Sequence, residues 1–430
     1  MAVVVVEPVD YDSSRIDIIS VHPNLPSAMT REHLRFQSIE TAKPDAILGL
    51  TETFMADPSP DKMNLTLGVY KDASGNTPIL NCVKEAERLV YEQESSKNYL
   101  LMSGSPEYGA HLRDLVFGGG IDASRTAILQ TPGGTGALRI TAAFLAGQLA
   151  PVRLWLPDPT WANHRQVFAA EGVPTETYRY LGSDRTSLDF DGMIDDLQKK
   201  AAPGDAVLLH GCCHNPTGID PTPEQWAELA RVLAAGNLLP VIDLAYQGFG
   251  RGLQEDVAGL NEILAVNEEA IVCSSFSKNF GLYGERVGGM SLVAADGAAA
   301  AASMSQLKRI VRCNYSNPPR HGALIVSAVL DDPGLTMKWH EELSAMRARI
   351  QALRSGFVEG MKVAGRGHDF SFLLPQNGMF SYSGMSPAQV DRLRDKHSIY
   401  LVGSGRINVA GISEVRMDQL CAAVAEVLEN

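Results

Sequence analysis

The chain has 430 residues, of which 45% are hydrophobic and 20% charged, and its formal net charge is −13. That length exceeds what one simple core organises, so two domains, or one large domain with an appendage, are expected. The acidic balance argues against nucleic acid or an anionic membrane as the main partner, while leaving room for local basic pockets that bind small anions.

In chain order, the opening AVVVV is short and is followed by Glu7, Asp10 and Asp12, the wrong pattern for a secretory signal or an acid-poor transit peptide. No apolar run approaches the roughly 18 residues of a membrane span. Residues 1–33, with Pro8, Pro23 and Pro26, read as an N-terminal extension. Residues 34–77 carry a helix signal, AILGLTETFMAD, and then MNLTLGVYKDASGNTP, which ends in Asp/Gly/Pro turn chemistry. From 78 to 345, apolar runs (RLWLP at 153, DAVLLHG at 205, LLPVIDLAY at 238, AIVCSSFS at 270) alternate with helical patterns such as PTPEQWAELARVLAAGN. Strands apolar throughout and separated by helices predict a mostly parallel sheet covered on both faces. The Ala-rich stretch from 294 predicts a helix ending near Arg312, and a long helical pattern, PGLTMKWHEELSAMRARIQALRSGFVEGM, leads into an α+β region over 346–430. Six cysteines show no CxxC pairing and no regular framework, so buried thiols, a cytoplasmic protein and no bound metal are expected.

Three predicted strand ends each deliver polar groups where a loop to the next helix should begin. AVLLHGCCHNPTG supplies His214 and Asn215, LLPVIDLAYQG supplies Asp243 and Tyr246, and IVCSSFSK supplies Ser275, Ser277 and Lys278. Asn215, Asp243 and Lys278 lie one strand–helix unit apart, so all three can converge on the carboxyl edge of one sheet, where open α/β sheets bind ligands. Taken singly, each also has the look of a helix cap or a solvated side chain. TPGGTGALRITAAFLAGQ places glycines ahead of a helix whose free N–H groups can close on an anion. Trp161 follows another strand, and Arg312 and Arg406 stand outside any charge run, as structural ion pairs or carboxylate clamps do. A lysine, an acid, a phenol, an amide, a flat aromatic, an anion cradle and two arginines form the inventory that pyridoxal phosphate and a dicarboxylate substrate require.

SSFSKNFGLYGERVGG, HGCCHNPTGIDPTPEQW, DLAYQGFGRGL, TPGGTGALR and SGRINVAG resemble, in family order, the aspartate/aromatic aminotransferases, the fold-type I pyridoxal-phosphate enzymes. The resemblance runs from about residue 36 to the end. It implies an α/β fold: a large domain with a mostly parallel, seven-stranded-type sheet between helices, plus a smaller α+β domain built from 34–77 and 346–430. It identifies Lys278 as the covalent anchor of the cofactor and the base that moves the proton. Asp243 would face the pyridine nitrogen, with His214 supporting it and His164 behind the site. Tyr246 and Asn215 would bond the cofactor's 3′ oxygen, and Trp161 would stack on its ring. Gly134, Thr135, Ser275, Ser277 and Arg286 would hold the phosphate. Tyr99 and Arg312 are implied to reach the site from a neighbouring subunit, hence a homodimer, with Arg312 on the distal carboxylate. Arg406, with backbone near Gly68, would hold the α-carboxylate. The implied reaction is ping-pong transamination of aspartate with 2-oxoglutarate. Val69, Lys71, Thr77, Asn98, Thr135 and Asn317 resemble the aspartate branch, whereas Gly284 stands where aspartate enzymes usually carry Asn, so tyrosine or other aromatic amino acids stay open as substrates.

Overall fold

A strand buried on both sides must be apolar along most of its length, and the four runs picked out in the sequence obey this, with their polar residues gathered at the carboxyl ends. They form β3 (Leu154–Asp158), β5 (Ala206–His210), β6 (Leu239–Leu244) and β7 (Ala270–Ser275), numbered after a short β1 (Met63–Asn64), β2 (Thr126–Pro132) and β4 (Thr175–Arg179). Successive residues of each run alternate between two separate cores. Ile271 and Cys273 of β7 pack on one side of the sheet, Val272 on the other; Leu208 and Leu209 of β5 divide in the same way.

The computed structural model describes residues 35–41, 48–364 and 367–429. Residues 1–45 and 46–430 are separate units. In the first, Arg35–Ser38 form one turn of 3-10 helix, and the extension predicted over 1–33 lies outside the described residues. The second unit holds a seven-stranded sheet of order β2-β8-β7-β6-β5-β3-β4, with β8 spanning Val287–Val293. Only β8 runs against its neighbours, and the remaining pairs are parallel. The predicted mostly parallel sheet is therefore the fold.

β8 is absent from the apolar runs picked out in the sequence because the paired glycines of VGGMSLV interrupt the apolar pattern. Its glycines are there for space. A methyl group on Gly288 would lie 2.6 Å from both the Gly133 carbonyl carbon and the Ser274 oxygen, where the helix Gly133–Gln148 starts beside the end of β7. Gly288→Ala is expected to cost about 1–3 kcal/mol through overpacking. The readout is a lower urea midpoint at unchanged slope; an unchanged midpoint would mean that the backbone there yields freely.

The helix Pro223–Ala235 starts where the sequence places it: Thr222 Oγ1 accepts from Gln225 N while Gln225 Oε1 accepts from Thr222 N, a reciprocal cap. Beyond the large sheet, β1 pairs in parallel with β10 (Ile399–Tyr400), and β9 (Phe380–Tyr382) pairs antiparallel with β11 (Arg406–Asn408). The segment after β1 continues this union: Leu65 N donates to Tyr400 O, and Asn408 N donates to Leu65 O. The helix Pro333–Ala364 is continuous across residue 345, so the regions on either side of that boundary share one rigid element.

Candidate active site

Parallel strands bring the residues that follow them to one edge. Trp161 follows β3, Asn215 follows β5, Asp243 is the penultimate residue of β6 and Ser275 closes β7. Because β2 has the same direction, the first turn of Gly133–Gln148 opens on that edge too. The antiparallel β8 begins there, directly after Arg286. A cavity of about 200 Å³ lies at this edge, and Lys278, Asp243, Arg286 and Arg406 all line it.

Asp243 is buried, and its Oδ2 lies 3.0 Å from His164 Nε2. Burial pushes its carboxyl up, but the His164 hydrogen bond and the charges of His164, His210 and Lys278 outweigh this and hold it below the usual aspartate value. His164 Nδ1 in turn meets Thr160 Oγ1 at 2.8 Å, and Thr160 Oγ1 lies 3.2 Å from His210 Nε2. The sequence reading gives the support of Asp243 to His214, and the structure corrects this. His214 stacks on Tyr180 with ring centroids 3.8 Å apart and shares a 2.8 Å bond with Thr217 Oγ1. The ring of His210 separates it from His164. Four residues lie between the end of β5 and Asn215, and His214 is the last of them. His164 reaches Asp243 from the helix Asn163–Ala169.

Lys278 Nζ lies 4.9 Å from the centroid of the Tyr246 ring. Burial drives its pKa down to about 8; Asp243 opposes the shift, and Arg286 and Arg406 add to it. Such an amine loses its proton far more readily than a solvated lysine. Tyr246 is raised by burial and keeps its phenolic proton.

An anion cradle forms beside this amine. Ser275 Oγ donates to Ser277 Oγ at 3.1 Å, and Arg286 Nη1 donates to Ser277 Oγ at 3.4 Å and Tyr283 O at 2.9 Å. Arg286 holds φ at 56°, a left-handed conformation uncommon for a non-glycine residue. A methyl group on Gly133 would sit 2.5 Å from Arg286 Nη2, so the glycine makes room for the guanidinium. Pro132 gives the 16-residue helix no side-chain cap, which leaves the first-turn amides of Gly134 and Thr135 facing the cavity.

Arg406 is only 5% exposed. Its Nη1 donates to Asn215 Oδ1 at 3.2 Å and its Nη2 to Thr66 O at 2.5 Å. Its guanidinium carbon lies 4.2 Å from the centroid of Phe380, and buried Nε has no partner among the described residues. Burial pushes its pKa down to about 10. A buried cation bonded only to neutral acceptors is a costly arrangement in the absence of an anion. Gly68 borders the same space, with Phe380 against it.

Tyr99 and Arg312 do not line this cavity. Tyr99 is 91% exposed, and Arg312 Nη1 donates to Ser316 Oγ at 2.5 Å. Several residues that build the site escaped the sequence reading. Asp220 accepts from Cys213 N and His214 N, both at 2.9 Å, and so fixes the turn that presents Asn215. Arg354 donates to Gly378 O and Ser381 Oγ, anchoring the strand that carries Phe380. Tyr283, Leu138 and Phe380 also line the cavity. Only Asp220 left a signal, an acid just after the PTG turn. Asp256, close to Cys212 and Cys213, has its carboxylate engaged by the amides of Gly248, Gly250 and Arg251 and shapes that loop.

The sequence profile of the family Aminotransferase class I and II matches residues 60–424. The aspartate aminotransferase of Escherichia coli (strain K12) is 49% identical over 396 residues, covering 91% of this chain and 100% of its own. The aromatic-amino-acid aminotransferase of Pseudomonas aeruginosa is 44% identical, covering 91% of this chain and 98% of its own. Among solved structures, the aromatic-amino-acid aminotransferase of Burkholderia pseudomallei, covalently bound to pyridoxal phosphate, superposes with a TM-score of 0.89 at 45% identity. That match covers 92% of this chain and 100% of the other. With a profile match over most of its length and relatives near half identity, the chain belongs to the aminotransferase class I and II family.

Proposed function

We propose that the protein catalyses pyridoxal-phosphate-dependent transamination, moving the amino group of L-aspartate to 2-oxoglutarate and giving oxaloacetate and L-glutamate. The observation that carries this reading is the meeting, in one cavity, of a lysine with a pKa near 8, a buried ionised aspartate, a serine/arginine anion cradle and a buried arginine lacking an anion. The cradle at the helix start fits a phosphate, and the unpartnered Nε of Arg406 fits a substrate carboxylate.

Pyridoxal phosphate, when bound, supplies an aldehyde carbon for an amine and a ring that withdraws electrons from substrate Cα. The chain's residues do the rest. Ser275, Ser277, Arg286, Gly134 and Thr135 would hold the phosphate, and Trp161 would cover the ring. Asp243, kept ionised by His164, would hold a proton on the pyridine nitrogen. Tyr246 and Asn215 would bond the 3′ oxygen. Lys278 would anchor the cofactor and then, displaced by substrate, carry the proton from Cα to the cofactor's C4′. Arg406 would grip the α-carboxylate while the segment around Gly68 excludes water. The partner subunit's Arg312 would take the distal carboxylate and the partner subunit's Tyr99 the phosphate, in a homodimer with shared sites. The division into a large domain (78–345) and a small one (34–77 with 346–430) belongs to this reading. So does the cytoplasm, which six unpaired cysteines, five of them buried, support.

A second reading, preference for aromatic amino acids, rests on Gly284, which stands where the aspartate enzymes usually carry Asn although a side chain there would meet nothing within 4 Å. Single-turnover rates with aspartate, tyrosine and phenylalanine decide between them: aspartate should be fastest, and equal or faster aromatic rates would overturn the ranking. The lysine also sets a pH dependence. The amine must be neutral to attack an aldehyde, so pyridoxal phosphate uptake by the ligand-free protein, followed by absorbance, should rise with pH through about 8. A midpoint above 10 would mean an ordinary solvated lysine.

A further inference from the structure

The segment Thr66–Lys71 borders the cavity through Gly68, and its backbone is held largely by side chains from elsewhere. Arg406 donates to Thr66 O, Asn408 Nδ2 donates to Leu67 O at 2.6 Å and Val69 O at 2.9 Å, and Arg349 Nη1 donates to Lys71 O at 3.1 Å. Those three residues, and Ala410, whose oxygen accepts from Lys71 N, all follow residue 345. One bond comes from the opposite side: Tyr70 N donates to Tyr283 Oη at 3.0 Å. Tyr283 is five residues from Lys278 and three from Arg286, and its carbonyl already accepts from Arg286. Its hydroxyl therefore ties the strap to the segment that carries the amine and the anion cradle.

The strap also presses on the substrate side of the cavity. A methyl group on Gly68 would sit 2.8 Å from Phe380 Cζ, and the Phe380 ring underlies the Arg406 guanidinium. Lifting Tyr70 would thus loosen the contact that keeps Arg406 in place and would admit water above it. We propose that Tyr283 is a positioning residue whose hydroxyl latches the 66–71 strap over the cavity and so sets the affinity for the amino acid and oxo acid substrates. The proposal rests on the transaminase reading for its substrates, but the latch itself is a property of the chain.

The test is Tyr283→Phe in the holoenzyme, which keeps the ring and deletes the acceptor. KM for aspartate and the inhibition constant of maleate, an unreactive four-carbon dicarboxylate, should each rise about 3- to 10-fold, the range of one lost hydrogen bond. kcat should change less than about 2-fold, and the cofactor absorbance and its pH midpoint should stay as in the wild type. Amide hydrogen exchange at Tyr70 should accelerate by about 10-fold or more, the span of roughly one hydrogen bond's protection. Unchanged maleate affinity with unchanged exchange overturns the latch. A fall in kcat with a shifted absorbance midpoint also overturns it, since that would place the hydroxyl in the chemistry. A wild type without transaminase activity would remove the transaminase reading, while the exchange comparison would still decide whether Tyr283 holds the strap.

Discussion

Lys278→Ala lowers kcat by at least about 1,000-fold, because a base contribution of roughly 100- to 10,000-fold and the covalent anchor are lost together. The same change should not unfold the protein. In the ligand-free state Lys278 is held in surroundings that disfavour its charge, its pKa having fallen from 10.5 to about 8. Below pH 8 the amine is protonated in both folded and unfolded chains, so the full cost of enclosing the charge is present. Between 8 and 10.5 the unfolded chain binds the extra proton, and wild-type stability gains as pH rises. Ligand-free Lys278→Ala should therefore melt no lower than the wild type at pH 7, with its relative advantage shrinking as the pH climbs from 8 toward 10.5. A variant that loses activity only because it unfolds would contradict this account. So would one that keeps a tenth of wild-type turnover.

Arg406→Leu raises KM for aspartate by about 30-fold to several thousand-fold, the span of 2–5 kcal/mol for removing one member of a buried charged pair. Its ligand-free melting temperature should move by only a few degrees, because two opposing effects meet there. Thr66 O and Asn215 Oδ1 lose a donor, which costs stability, while a buried cation without an anion disappears, which returns some. Arg406→Lys separates charge from shape. A lysine keeps the charge but offers no planar fork to a carboxylate, so KM should still rise at least about 10-fold. Recovery of wild-type KM in the lysine variant would mean that Arg406 acts as a point charge, and the carboxylate clamp would fall.

The legible parts of this protein are those where one local rule suffices. β3, β5, β6 and β7 are apolar until their carboxyl ends because both faces of the sheet are covered, and a polar residue at the end of such a run has nowhere to go but the edge. That logic places Asp243, Ser275 and Lys278 without any fold in hand. β8 fails the rule because its role is to let the helix at Gly133 come close, and glycine leaves no hydrophobic signature. His164 and His214 illustrate a second limit. Both are histidines near strand ends, and which one meets Asp243 depends on a loop length and a short helix that spacing alone does not determine. Tyr283, Phe380 and Arg354 are a third case, since each acts by holding another residue and carries no chemistry of its own. Tyr99 and Arg312 lie away from the cavity of their own chain, so any role there needs a second chain.

The most direct test of the account is to incubate the protein with pyridoxal phosphate, reduce it with borohydride and map the modified peptide by mass spectrometry. A single phosphopyridoxyl group on Lys278, and its absence after prior conversion of the cofactor to its amine form with L-aspartate, is the predicted result. Modification of another lysine, or an adduct on Lys278 that aspartate does not remove, would contradict it.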